Sequence, residues 1–283
     1  MYRVFIASTG NSYYIFDDPA PALNTTYTVT SISNPNSTTY SSISNAGVVC
    51  FLRGTMIETP EGPLRIETLR PGDRLVFIDG RQGTLRAIGS RRVAPAALRL
   101  HAGLRPFRIR AGAFGANLPA CDVTLSRQHR VLIRVPAEDP SRFAGQEVMG
   151  PVHALAHADA IAPVCPPVGV EYWHLLLDGH EVLPVAGLGL ESALVTQGGL
   201  VDDTRLEWQG CAPSAISAMT PARPLMKPAN LRRLLRRHGL HALAAACPTK
   251  RPAPCHCGES RPLRICNPHL CDRSVTVRHA RTR

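Results

Sequence analysis

An all-β fold is what this sequence predicts, with a leader before it and a basic tail after it. Three observations carry the prediction. Short apolar runs recur from Val48 to about Thr196, turn-forming Pro, Gly and Asp separate them, and helical periodicity is missing until Leu231.

Residues 1–47 come first and are rich in Ser, Thr and Asn, as in Asn24-Thr25-Thr26-Tyr27-Thr28 and Ser37-Thr38-Thr39-Tyr40. Such a stretch has too little apolar surface to bury, so a leader with one or two weak strands is expected. Residues 48–198 form the expected β domain. Thr55 to Thr59 reads as a strand, Pro60-Glu61-Gly62-Pro63 turns it, and Leu64-Arg65-Ile66-Glu67 returns. Pro71-Gly72-Asp73 leads into Arg74 to Ile78, and Asp79-Gly80 marks a tight hairpin. Further strands are expected at Phe107–Arg110, Val131–Val135, Trp173–Leu177 and, after Asp178-Gly179, Glu181–Val185. Residues 199–247 form an extension with one amphipathic helix, Leu231 to Arg237, its leucines on one face, Asn230 placed to cap it and Gly239 to end it. Residues 248–283 are Pro, Arg and Cys with little else, and no structure is assigned to them.

The net charge of +11 suggests nucleic-acid binding until it is located. From Pro221 onward fourteen Lys and Arg stand against Glu259 and Asp272, a net of +12, so the rest is near neutral. A basic tail can touch nucleic acid or an anionic membrane, but a solvated arginine face is the commoner meaning of such a helix. Nine cysteines, five of them after residue 246, do not form a tidy secreted disulfide framework. Cys255-His256-Cys257 lacks the paired C-x-x-C spacing of ordinary zinc sites, so no metal or cofactor is expected. The apolar run Val4-Phe5-Ile6-Ala7 is too short for a signal core, and no run is long enough to span a membrane. The default expectation is a cytoplasmic protein with Cys50, Cys121 and Cys165 reduced.

The chemistry gathers at two places. Cys50 stands in Val48-Val49-Cys50-Phe51-Leu52-Arg53-Gly54-Thr55, and Ser126-Arg127-Gln128-His129 follows it. A cysteine can attack the carbonyl of the residue before it, here Val49, replacing an amide by a thioester. This needs a proton donor for the departing amide nitrogen, a group that orients the peptide, and an acceptor for the thiol proton. His129 and Ser126 can supply the first two.

The segments Cys50 to Gly62, Ile66-Glu67-Thr68-Leu69-Arg70-Pro71-Gly72-Asp73 and Leu125 to Ile133 resemble the Hedgehog/intein (Hint) domain, most closely its bacterial members. Pro106 to Gly115 looks like their central segment, and Tyr172-Trp173-His174-Leu175 through His180-Glu181-Val182 to Glu191-Ser192 looks like their last strands. The resemblance implies a horseshoe-like β fold with pseudo-twofold symmetry that processes itself through an N-to-S acyl shift. By it Cys50 is the nucleophile, His129 the proton donor, and Ser126 takes the place of the usual threonine, keeping the hydroxyl without the methyl. His180 stands near a late histidine that assists the second half of the reaction in inteins; a hairpin-surface histidine is the competing reading.

Taken alone, other residues read as structural: His174 as core or edge, Asp122 as turn chemistry. Splicing by the family needs a terminal Asn after His, and neither Asn230 nor Asn267 qualifies. The expectation is therefore self-cleavage at Val49-Cys50, the N-terminal segment being the substrate and water, a thiol or another nucleophile resolving the thioester. The competing class is an inactive Hint-like module that serves structure or binding, its basic tail contacting anionic partners.

Overall fold

Among the described residues, short strands and glycine turns give two main sheets and three two-stranded hairpins. The computed structural model describes residues 49–115, 117–196, 207–211 and 215–245, with the backbone of two further strands near the N-terminus. The chain divides into two units, Met1–Thr38 and Thr39–Arg283. In the first, β1 (Val4–Ile6) pairs antiparallel with β2 (Tyr14–Phe16). The rest of the leader and the whole of residues 248–283, with their cysteines and any metal or anion contact, lie outside the described residues.

The second unit opens with β3 (Phe51–Leu52), β4 (Met56–Ile57), β5 (Leu64–Arg65), β6 (Arg74–Val76), β7 (Gln82–Thr84) and β8 (Ala87–Val93). It continues with β9 (Phe107–Ile109), β10 (Val123–Leu125), β11 (Arg130–Arg134), β12 (Glu147–Pro151) and β13 (Ile161–Pro163). Last come β14 (Val170–Leu176), β15 (Val182–Val185), β16 (Leu188–Glu191) and β17 (Glu207–Gly210). Among the described residues two helices, α1 (Pro95–Leu100) and α2 (Pro228–His238), and a few short 3-10 turns complete it.

The larger sheet has the order β13-β9-β10-β3-β14-β8-β17, and every pairing in it is antiparallel. The second sheet runs β12-β11-β16-β15, while β4-β5 and β6-β7 stand as hairpins. Strands predicted from apolar runs appear, generally shorter than expected. Leu64–Arg65 ends where Ile66–Thr68 winds into a 3-10 turn, and Arg74–Val76 stops before the Asp79-Gly80 turn. That turn forms because Gly80 sits at φ +84°, Phe77 N–H donates to the Arg81 carbonyl, and the Asp79 carboxylate accepts the Arg81 N–H.

One buried cluster takes residues from both main sheets, including Phe51, Leu125, Ile133, Trp173 and Leu190, and from α2 through Leu231 and Leu234. The helix thus docks by its leucine face. Gly150 on β12 makes room for it, since a Cβ there would collide with the Leu231 side chain. Its start differs from expectation. Pro228 opens the helix after Lys227, and Asn230 is its third residue rather than its cap. Proline's fixed φ and missing N–H suit the first helical position, which outweighs the capping preference of an asparagine two residues later. At its far end Gly239 turns at φ +74°, and Arg237 and His238 both bond the buried carboxylate of Asp139. Burial alone would raise the Asp139 pKa, but bonds from Ser141, His238 and Arg237 hold it well below the usual range.

Among the described residues no helix is long and apolar enough to cross a membrane.

Candidate active site

Cys50 precedes β3, a two-residue strand held between β10 and β14 in the middle of the larger sheet. Phe51 lies opposite Leu125 on one side and opposite Trp173 on the other. Continuing both antiparallel registers by one residue puts Cys50 between Ser126 and His174. Residues directly opposite in neighbouring strands share a sheet face. Ser126, Cys50 and His174 therefore form one cross-strand row.

The ladder is altered at its Ser126 end. Ser126 N–H donates to the Cys50 carbonyl at 2.9 Å, as in an ordinary antiparallel pair. The return bond goes instead from Cys50 N–H to Ser126 Oγ, also 2.9 Å. The Ser126 carbonyl accepts His129 N–H at 3.0 Å, closing the Ser126-Arg127-Gln128-His129 turn. The hydroxyl thus substitutes for a backbone carbonyl, on the amide nitrogen that joins Val49 to Cys50.

At the other end of the row, Cys50 Sγ and His174 Nε2 are 2.6 Å apart. Both residues are buried, Cys50 being 3% exposed and His174 1%. Burial lowers the His174 pKa to about 3, with a smaller push from His129, so its imidazole is neutral near pH 7. A neutral ring whose Nε2 accepts the thiol proton carries its own hydrogen on Nδ1, and Nδ1 is buried with no hydrogen-bond partner among the described residues.

His129 is fully buried and edge-on to the Phe51 ring, with ring centroids 4.5 Å apart. Neither of its nitrogens makes a complete hydrogen bond among the described residues. Burial lowers its pKa to about 4. The Glu191 charge and an interaction with the Cys50 backbone that falls short of a full bond draw it upward, while Arg130 and His180 press it down.

His180 is buried rather than on a hairpin surface, and it is tied to a different partner. Its Nε2 meets Glu191 Oε2 at 3.1 Å, and its Nδ1 accepts the Ala222 N–H at 3.0 Å. Glu191 is fully buried and also accepts Arg130 N–H at 2.7 Å and the Arg130 guanidinium at 2.8 Å. Burial opposes its ionisation, but His180 and Arg130 overcome that and lower its pKa. An open cleft of about 810 Å³ borders this network, with His180, Asp178, Glu181 and Met219 in its wall. Asp122 stays in turn chemistry, accepting the Ala111 N–H at 2.8 Å.

The turn after Cys50 is held separately. Gly54 sits at φ +84° and donates its N–H to Glu67 at 2.8 Å, while Arg53 bridges Glu67 and Glu171. This ties the strand that follows the nucleophile position to the first residues of β14.

Sequence reasoning therefore located Cys50, Ser126 and His129 but read His174 as core or edge. Its one detectable signal was a histidine inside an apolar run, and its role depends on which strand pairs with β3. Glu191 was also passed over as a site residue, though it is the sole acidic residue of its strand.

A family model described as the Hint domain matches residues 49–197. The chain belongs to the Hint domain family. Its Hint segment has the family's all-β fold and begins at the Val49-Cys50 junction described above. Similar solved structures include the solution structure of a bacterial intein-like domain from Clostridium thermocellum, at 13% identity, with 50% of this chain and 96% of that chain covered and a TM-score of 0.32. The crystal structure of the gp41-1 intein is similar at 11% identity, covering 51% of this chain and 98% of that one, TM-score 0.30. The Msm DnaB1 intein splicing domain, crystallised with zinc bound, shares 16% identity over 50% of this chain and 98% of its own, TM-score 0.30. No curated protein matches the chain.

Proposed function

We propose that the Hint segment cleaves its own chain once, at the Val49-Cys50 bond, through an N-to-S acyl shift. The observation that supports this best is the cross-strand row: one neighbour of Cys50 holds its amide N–H and the other touches its thiol.

In this reading His174 Nε2 takes the thiol proton, and Cys50 Sγ adds to the Val49 carbonyl carbon. The tetrahedral intermediate collapses by breaking the carbon–nitrogen bond, and the departing Cys50 nitrogen takes a proton from His129. With a pKa of about 4, His129 is neutral beforehand. The proton it delivers is thus, in net terms, the one the thiol released, and the imidazoles end as they began. The step is an isomerisation, amide to thioester. Water, a thiol or another nucleophile then attacks the thioester and takes the Val49 acyl group, leaving a free Val49 carboxyl with water or a Val49 thioester with a thiol, and the Cys50 thiol is restored. Ser126 Oγ keeps the scissile amide from rotating away. The substrate is the chain's own N-terminal segment, so the protein turns over once and is no ordinary enzyme.

Expression of the full chain, followed by denaturing electrophoresis and mass spectrometry with and without dithiothreitol or hydroxylamine, tests the proposal. The expected result is a thiol-accelerated cut giving residues 1–49 and 50–283, absent in Cys50→Ala. A chain that stays whole under every condition overturns it and favours an inactive binding or structural module.

A further inference from the structure

The row that contains Cys50 does not end at His174. Gly89 on β8 lies opposite His174, and Trp208 on β17 lies opposite Gly89. Ser126, Cys50, His174, Gly89 and Trp208 therefore line up across five strands on one face of the sheet. Trp208 comes from outside the matched residues 49–197.

We propose that Trp208 is a positioning residue of this thiol site, its indole lying across Gly89 to hold the His174 imidazole against Cys50 and keep water from it. The inference rests on the self-cleavage reading above.

Strands in a sheet are spaced by about 4.8 Å, so the backbones of His174 and Trp208, with β8 between them, are roughly 10 Å apart. Their ring centroids are nonetheless 6.0 Å apart, tilted by 52°. The indole leans over the intervening strand, and it does so because that strand offers glycine. A Cβ at Gly89 would stand 3.0 Å from indole atoms Cδ2, Cε2 and Cε3, tighter than most side-chain contacts, so the indole would have to give by a few tenths of an ångström. The indole also packs against the cluster of Ala87, Leu176, Ala193 and Val195. The ring is thus wedged between a small apolar cluster and the histidine. His174 Nδ1 and Trp208 Nε1 are both buried without a hydrogen-bond partner among the described residues, so the two rings meet by packing, while the imidazole's one hydrogen-bond contact is from Nε2 to the Cys50 thiol.

Burial is the main reason His174 is neutral. The titratable groups facing it are the Cys50 thiol from β3 and His129 from the turn after β10. From β8 the opposite residue is Gly89, and Arg91, farther along that strand, acts on Tyr172. From β17 the opposite residue is Trp208 itself, while Glu207 pairs with Ser90 and is exposed. Removing the indole admits water to the imidazole without adding a charge.

The test uses the full chain carrying Cys50→Ala, which cannot cleave, and follows the His174 ring resonances by NMR as pH is varied. Adding Trp208→Ala raises the His174 pKa by at least one unit, Trp208→Phe largely restores it, and Gly89→Ala, which displaces the indole, raises it too. In the chain with Cys50 intact, Trp208→Ala slows cleavage more at pH 5.5 than at pH 8 by the factor its measured His174 pKa dictates, about tenfold where that pKa reaches the ordinary histidine value of about 6.5, because a protonated His174 cannot accept the thiol proton. An unmoved His174 pKa in Gly89→Ala and Trp208→Ala overturns the proposal, as does a slowing equal at all pH values. If Trp208→Ala does not fold, Trp208→Phe and Gly89→Ala decide by the same titration. If the parent chain never cleaves, the self-cleavage reading fails, and the titration still reports whether Trp208 governs His174.

Discussion

Ser126 Oγ accepts the N–H of Cys50 at 2.9 Å, in the place where an antiparallel ladder would use a main-chain carbonyl. The bond needs only a hydroxyl at that position. Ser126→Thr should therefore keep the cleavage rate within a few-fold, whereas Ser126→Ala leaves a buried N–H without its acceptor. The expected cost is about 1–3 kcal/mol in stability, with slower cleavage beside it. Thermal melts and cleavage time courses of the two variants check this.

Of the two imidazoles, His174 should matter to the thiol and His129 to the leaving nitrogen. On the self-cleavage proposal each acts on a proton in flight, and removal of such a group typically costs about 100- to 10,000-fold in rate. His174→Ala should also change how fast Cys50 reacts with a small alkylating agent, because it loses its neighbour at 2.6 Å. His129→Ala should leave that alkylation rate nearly unchanged while still stopping cleavage. Equal effects of both substitutions on alkylation would contradict the division of labour.

Acid should destabilise the fold through the same two residues. In the native state their pKa values are lowered to about 4 for His129 and about 3 for His174, whereas in the unfolded chain each is near the ordinary histidine value of about 6.5. Between those limits the unfolded chain binds more protons, so stability rises with pH. It falls by up to about 1.4 kcal/mol per pH unit for each histidine as pH drops from about 6.5 towards 4. Urea melts of the Cys50→Ala chain at pH 7.5 and 5 measure the slope, which should shrink when His129 or His174 is replaced by Gln.

Glu191 holds two partners at once. It is fully buried, and Arg130 and His180 both turn to it. Removing one partner of a buried ionic group costs about 3–5 kcal/mol, so Glu191→Ala should be among the most destabilising single changes in the chain. Glu191→Gln, which keeps the shape but not the charge, should fall between it and the parent in the same melts.

Leu231 tests the docking of α2. Leu231→Ala empties a fully buried site beside Gly150 and should cost about 2–5 kcal/mol. Gly150→Ala should destabilise as well, by crowding the same leucine from the opposite side.

What the sequence disclosed follows from how local each feature is. Cys50, with its Leu52-Arg53-Gly54-Thr55 turn, and Ser126 with His129 one helical turn's length further on, each lie within a few residues and carry their own signal. Asp79-Gly80 announced its hairpin for the same reason. His174 carried none, because its importance arises from the pairing of β14 with β3, residues 124 positions apart meeting at the thiol. Strand β8 was missed because Ala-Ile-Gly-Ser-Arg-Arg-Val has no clean alternation, and its glycine is explained only by a tryptophan on β17. Asn230 misled because a capping preference of about 1 kcal/mol gave way to a proline better suited to the first turn.

Strand β17 has a consequence for anyone wishing to move this Hint segment into another protein. It covers the outer side of β8, which would otherwise be the edge of the larger sheet, with seven residues of open main chain. A cassette trimmed to the family boundary at residue 197 would leave that edge free to recruit strands from neighbouring copies. The transplantable unit therefore extends at least through Gly210 for this edge, and through α2 for the core, and the shorter cassette would lose solubility along with the Trp208 contact to His174.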